Sequence, residues 1–132
     1  MKILNKICGT IIKCEENVIF TSFSISKKWQ SLLNDLKNNE KSNQFGELVP
    51  YDTVYNLAHV SHTVEILNET SDDDFIYVDI KLRILNTWYG KQLKELVENR
   101  IEIIPTIYHI QIVNIQQFNV NLNLNQVIPK FW

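Results

Sequence analysis

His59, His62 and His109 are the side chains of this chain whose ordinary pKa places proton exchange close to neutrality. His59 and His62 stand three apart in a stretch that alternates like a strand. Their rings then point to opposite faces, and a shared metal would require a bulge between them. Cys8 and Cys14 have a spacing that no common zinc site uses, and there is no second pair. Asp72-Asp73-Asp74 opens like a calcium loop but has Tyr77 and Arg83 where that loop needs its Gly and its bidentate Glu. A solvated turn is the expectation. Glu95 and Glu98 share a helix with no histidine beside them and read as solvent-facing charges. No metal and no cofactor is expected.

The elements that would position these groups follow from periodicity. The first strand-like run covers 3–12, meets the polar turn Glu15-Glu16-Asn17, and returns over 18–23 as a hairpin. Ser24 or Ser26 can cap a helix to about residue 38, in which Trp29, Leu32, Leu33 and Leu36 form one apolar stripe. Gly46, Pro50 and Asp52 punctuate an irregular segment. Strands over 59–67 and 75–85 pair around the acidic turn. Thr87 through Gly90 opens a second helix, 91–98, with Leu93, Leu96 and Val97 on its apolar face. The stretches 101–104 and 107–113 are β-branched and interrupted by Pro105, which predicts two short strands or one bent edge strand. From Phe118 to Asn125 apolar residues alternate strictly with Asn. Six to eight strands and two helices give an α+β domain with a mostly antiparallel, barrel-like sheet. At 132 residues the chain is one domain, 1–132.

Bulk composition narrows the function classes. Hydrophobic residues make up 45% and charged residues 21%, as in ordinary globular proteins. A net charge of -2 argues against non-specific nucleic-acid binding, which needs a clustered cationic surface. No apolar run is long enough for a membrane helix. The first six residues break their apolar side chains with Asn and Lys, unlike a secretory signal, so a reducing compartment and free thiols are expected. Fifteen Asn and eighteen Ile against one Ala suggest an AT-rich genome.

Several ordered fragments then line up. They are Gly46-Glu47-Leu48, Val60-Ser61-His62, the acidic hairpin turn, and Ile84-Leu85-Asn86-Thr87-Trp88-Tyr89-Gly90 opening a helix. Together with the stretch ending at His109 they resemble the prohead (capsid maturation) serine proteases of tailed phages, of the large myovirus type. The resemblance spans about 46–109, half the chain. It implies a viral origin, a prohead-protease-like fold, and a catalytic histidine beside Pro50, where none stands. It also implies a Ser-Ser-Arg-Gly nucleophile strand, where this chain reads Thr106-Ile107-Tyr108-His109. The hydroxyl nearest the implied nucleophile is Thr106, and the imidazoles available to it are His62 and His109. A serine-type hydrolase needs nucleophile, base and oxyanion donors together, so these departures imply loss of hydrolysis.

Three readings stay open. The first is a non-catalytic phage structural or assembly protein, in the virion or host cytoplasm, that binds other virion proteins or itself. The second is a divergent protease using Thr106 with His62 or His109. The third is a host-directed adaptor or inhibitor. For the binding readings the candidate contact residues are the Asn ladder, Asn119, Asn121 and Asn123, offered by an exposed strand for strand addition, and the aromatic pair Phe131 and Trp132. Nucleic-acid, membrane and small-molecule partners are not expected.

Overall fold

The computed structural model describes residues 1–40, 44–49, 54 and 57–124, with the backbone alone at 39 and 40. The strands are β1 (Lys2–Cys8), β2 (Thr10–Glu15), β3 (Val18–Ser26), β4 (Phe45–Val49), β5 (Val60–Ser71), β6 (Phe75–Ile84), β7 (Ile103–Ile112) and β8 (Ile115–Leu124). A 3-10 turn, Lys27–Trp29, leads into α1 (Gln30–Glu40), and α2 (Trp88–Glu98) lies between β6 and β7. The strands form one sheet in the order β1-β7-β8-β4-β5-β6-β3-β2. Every neighbouring pair is antiparallel except β4 with β8. The α+β class and the mostly antiparallel sheet match the pattern of the sequence.

Barrel closure, which the sequence also suggested, does not form. The sheet is open, with β1 and β2 at its two ends. The reason lies in the first strand-like run, which breaks at Gly9. Its first half pairs with β7 and its second half with β3. One run of chain therefore serves both edges, and no ladder joins β1 to β2. Gly9 sits at the corner with its N–H donating to Pro105 O at 2.8 Å. A Cβ there would lie 2.6 Å from Ser22 O and against the Phe23 ring, so the corner is built around a residue without a side chain.

The main core is a large cluster that takes Ile19, Phe23 and Ile25 from β3, Ile76, Val78, Ile80 and Leu82 from β6, and the inward face of β7 and β8. Leu32, Leu33 and Leu36 of α1 and Leu93 and Leu96 of α2 are buried in it. At about 1.5–3 kcal/mol for each large side chain, these helix faces are what hold the helices to the sheet. Ser26 stands at the start of the 3-10 turn but makes no side-chain cap. Instead, Lys27 N–H donates to Asp74 O at 3.1 Å, tying that helix start to the β5–β6 turn. Thr87 does cap α2, accepting from Gly90 N–H at 3.0 Å, and its hydroxyl donates to Val60 O at 2.6 Å.

Three local expectations are corrected. Residues 45–49 form a strand rather than an irregular segment; Pro50 and Asp52 lie outside the described residues. The stretch 103–112 is one strand between β1 and β8, neither bent in two nor at an edge. Pro105 is tolerated there because its carbonyl, and so its nitrogen, faces the β1 side, where pairing with β7 reaches only Cys8↔Thr106. No ladder bond is lost. Finally, β8 is interior to the sheet, paired with β7 on one side and β4 on the other.

Gly9→Ala should lower unfolding stability by about 1–3 kcal/mol, because Ser22 O and the Phe23 ring cannot both withdraw. Chemical denaturation monitored by circular dichroism measures it; an unchanged midpoint would show that the corner is not tightly packed.

Candidate functional site

A buried group of hydrogen-bonded polar side chains lies where β4 runs between β5 and β8. Here β4 pairs with β8 over only Leu48↔Leu122 and Val49↔Asn123. On the β5 side the register shifts between Gly46 and Glu47, which face His62 and Val60 and leave Ser61 as the extra residue of a bulge. The bulge lets Ser61 and His62 meet, with Ser61 Oγ 2.7 Å from His62 Nδ1. The other nitrogen, His62 Nε2, reaches across β4 to Val120 O on β8 at 3.0 Å. A carbonyl only accepts, so Nε2 carries the proton and Nδ1 accepts from the Ser61 hydroxyl. The crossing is possible because residue 46 is glycine: a Cβ there would collide with His62 Nε2 and Val120 O.

One residue further on, a second side chain completes the same seam. Asn121 Oδ1 accepts from Glu47 N–H at 2.8 Å, standing in for a backbone bond that the short β4–β8 ladder does not make. Glu47 is 1% exposed, and its Oε1 lies 3.5 Å from His59 N. Beyond it the His59 ring stacks on Tyr89, centroids 4.0 Å apart, and Tyr89 meets Trp88 edge-on at 4.6 Å. Burial lowers the His59 pKa, against the opposing pull of Glu47.

The candidate catalytic residues are not assembled. His62 is fully buried, both ring nitrogens are bonded, and desolvation lowers its pKa to about 4. Thr106 is buried, and its hydroxyl donates to Ile104 O at 3.3 Å. His109, three residues on in the same strand, points to the opposite face. Its Nε2 pairs with Gln116 Oε1 at 2.8 Å, and its ring lies 4.7 Å from Trp29. No hydroxyl–imidazole pair joins Thr106 to either histidine.

The Asn ladder also differs from expectation. Asn121 is fully buried, Asn123 accepts from Tyr108 Oη at 2.8 Å, and Asn119 accepts from Gln117 Nε2 at 3.1 Å. That face of β8 lies beside a second small core of Val49, Val54, Tyr108 and Ile110. β8 is paired with β7 along its length and with β4 at Leu122 and Asn123, so it is not the exposed edge strand that strand addition at this ladder would use. Phe131 and Trp132 lie outside the described residues. The acidic triplet is a turn, as expected: Asp72 Oδ1 accepts from the N–H groups of Asp74 and Phe75, and Oδ2 from Tyr77 Oη at 2.6 Å.

The seam itself escaped sequence reasoning, although Gly46 and the Ser61-His62 pair were its signal. Comparisons with protein-family models, curated proteins and solved structures returned no match to this chain.

The histidine bridge makes stability depend on pH. Between pH 6.5 and about 4 the unfolded chain takes a proton on this ring and the folded chain does not. Stability is therefore complete above pH 6.5 and falls as pH drops through that window, by about 3 kcal/mol. His62→Gln should be less stable at neutral pH and should lack this part of the slope. Urea titrations of both proteins from pH 7 to 4 measure it; parallel slopes would contradict the assignment.

Proposed function

We propose that this chain is a non-catalytic viral structural or assembly protein that binds other virion proteins on a protease-derived scaffold. Support for the lineage is the ordered set of fragments between Gly46 and His109. Support for the non-catalytic part is the separation of Thr106 from His62 and His109, each held by its own internal hydrogen bond. A general base must reach the proton it removes, and neither imidazole does so here.

The observation that carries the binding reading is Trp88. It stands 59% exposed at the start of α2, braced edge-on by Tyr89, which is itself stacked on His59. An exposed tryptophan on a rigid, pre-stacked support is the kind of side chain that dominates protein interfaces. Thr87 fixes its position by capping α2 and bonding Val60 O.

Co-expression with capsid and scaffold proteins of the source virus tests both halves. Trp88→Ala should reduce co-purification with assembled particles at least about tenfold, the ordinary cost of losing a tryptophan anchor. Thr106→Ala should change neither particle association nor the processing of the co-expressed proteins. Cleavage products that vanish with Thr106→Ala would establish the protease reading instead. Absence of the chain from particles would remove the structural role.

A further inference from the structure

The first turn of α2 rests on the chain leaving β6 more closely than a side chain would allow. A Cβ at Gly90 would collide with Leu85 O, so glycine is what permits the approach. The β2–β3 turn reaches the same place. Asn17 stands in the left-handed region at φ 61, and its carbonyl accepts from Ile84 N–H at 2.8 Å. Between these segments lies a pocket of about 270 Å³, to whose lining Asn17, Asn86, Lys91 and Lys94 bring polar side chains.

Lys91 and Lys94 are three apart on α2, so their ammonium groups share one side of the helix. Neither is in an ion pair or hydrogen bond among the described residues, and the carboxamides of Asn17 and Asn86 are likewise unbonded there. The described lining contains no carboxylate. Glu15, two residues before Asn17, is paired with Lys13 at 3.0 Å, and neither Glu16 nor Glu95 lines the pocket. The space is thus ringed by N–H donors from a turn, a loop and a helix, with two positive charges that its lining does not balance.

We propose that this pocket binds a phosphate monoester or inorganic phosphate as a dianion. Two ammonium groups balance such a group, which carries about -1.5 to -2 charges near neutral pH. A carboxylate or a phosphodiester brings one charge and leaves one lysine uncompensated, so an acidic side chain or a nucleic-acid backbone fits less well. A phosphoryl group also presents acceptor oxygens in several directions, as donors on three segments require, whereas planar carboxylates are best matched by the arginine fork. The volume is below the roughly 300–1,000 Å³ of sites that enclose whole drug-sized ligands. One anionic group is held, and the rest of any larger ligand stays outside. Trp88 does not line this pocket, so the assignment stands apart from the reading of that side chain as an interface anchor.

Chemical-shift titration of the nitrogen-15-labelled full chain at pH 7.5 tests it, with inorganic phosphate and acetate at matched ionic strength. Phosphate should give saturating shifts at the amides of Asn86, Gly90 and Lys91, and should bind at least about tenfold more tightly than acetate. Lys91→Gln/Lys94→Gln should weaken phosphate binding about tenfold or more with unchanged circular dichroism. Lys2→Gln/Lys28→Gln, which removes the same two charges outside the pocket, should leave it unchanged. A blocked phosphoserine peptide that binds more tightly than phosphate supports the proposal and assigns the site to a phosphorylated protein. Equal or weaker peptide binding supports it and assigns the site to the free anion. Shifts that do not saturate, equal affinity for acetate, or equal losses in the two double variants would overturn the proposal. So would an oligonucleotide without a terminal phosphate that shifts the same amides as strongly as phosphate does.

Discussion

The hydrogen bond from His62 across Gly46 to Val120 O is the interaction on which the centre of this fold depends. β4 is short, and its ladder with β8 covers two residue pairs. Left to backbone bonds alone, Val120 O and Glu47 N–H would be buried without partners, at about 1–3 kcal/mol each. An imidazole and a carboxamide supply what the ladder lacks, His62 to the carbonyl and Asn121 to the amide. The two halves of the sheet, β1-β7-β8 and β5-β6-β3-β2, are joined through β4, so this seam decides whether they form one structure.

The same interaction bears on function. A histidine that acts as a base needs a free lone pair directed at a substrate and a pKa near the working pH. His62 has neither: Ser61 occupies Nδ1, Val120 fixes the proton on Nε2, and burial holds the ring neutral. The Val-Ser-His fragment that suggests a hydrolase thus has a complete structural use here. The Asn86-Thr87 segment has one as well, since Thr87 joins α2 to β5. What these elements leave outside is the Trp88–Tyr89–His59 stack, on which the binding proposal rests.

Local periodicity made much of the fold legible. The stripe Leu32, Leu33, Leu36 and the stripe Leu93, Leu96 are the buried faces of α1 and α2, and the hairpins around Asn17 and Asp72 form where turn residues placed them. What could not be read were choices made by distant partners. The strict alternation of β8 suggested one exposed face, yet Asn121 and Asn123 are covered because β4 and the small core of Val54 and Tyr108 lie against that side. Pro105 argued for an edge, yet the early end of β1 gives it a place inside the sheet. The seam was invisible for the same reason: Gly46, Ser61, Val120 and Asn121 meet only in three dimensions, and no local pattern links residues so far apart.

Nitrogen-15 NMR of the His62 ring tests the central claim most directly, because tautomer and titration are read at the same site. The expected result is a proton on Nε2 at neutral pH, an unprotonated Nδ1 that accepts a hydrogen bond, and no titration until pH approaches about 4. A ring that titrates near pH 6.5, or carries its proton on Nδ1, would contradict the bridge and return His62 to the candidates for proton transfer.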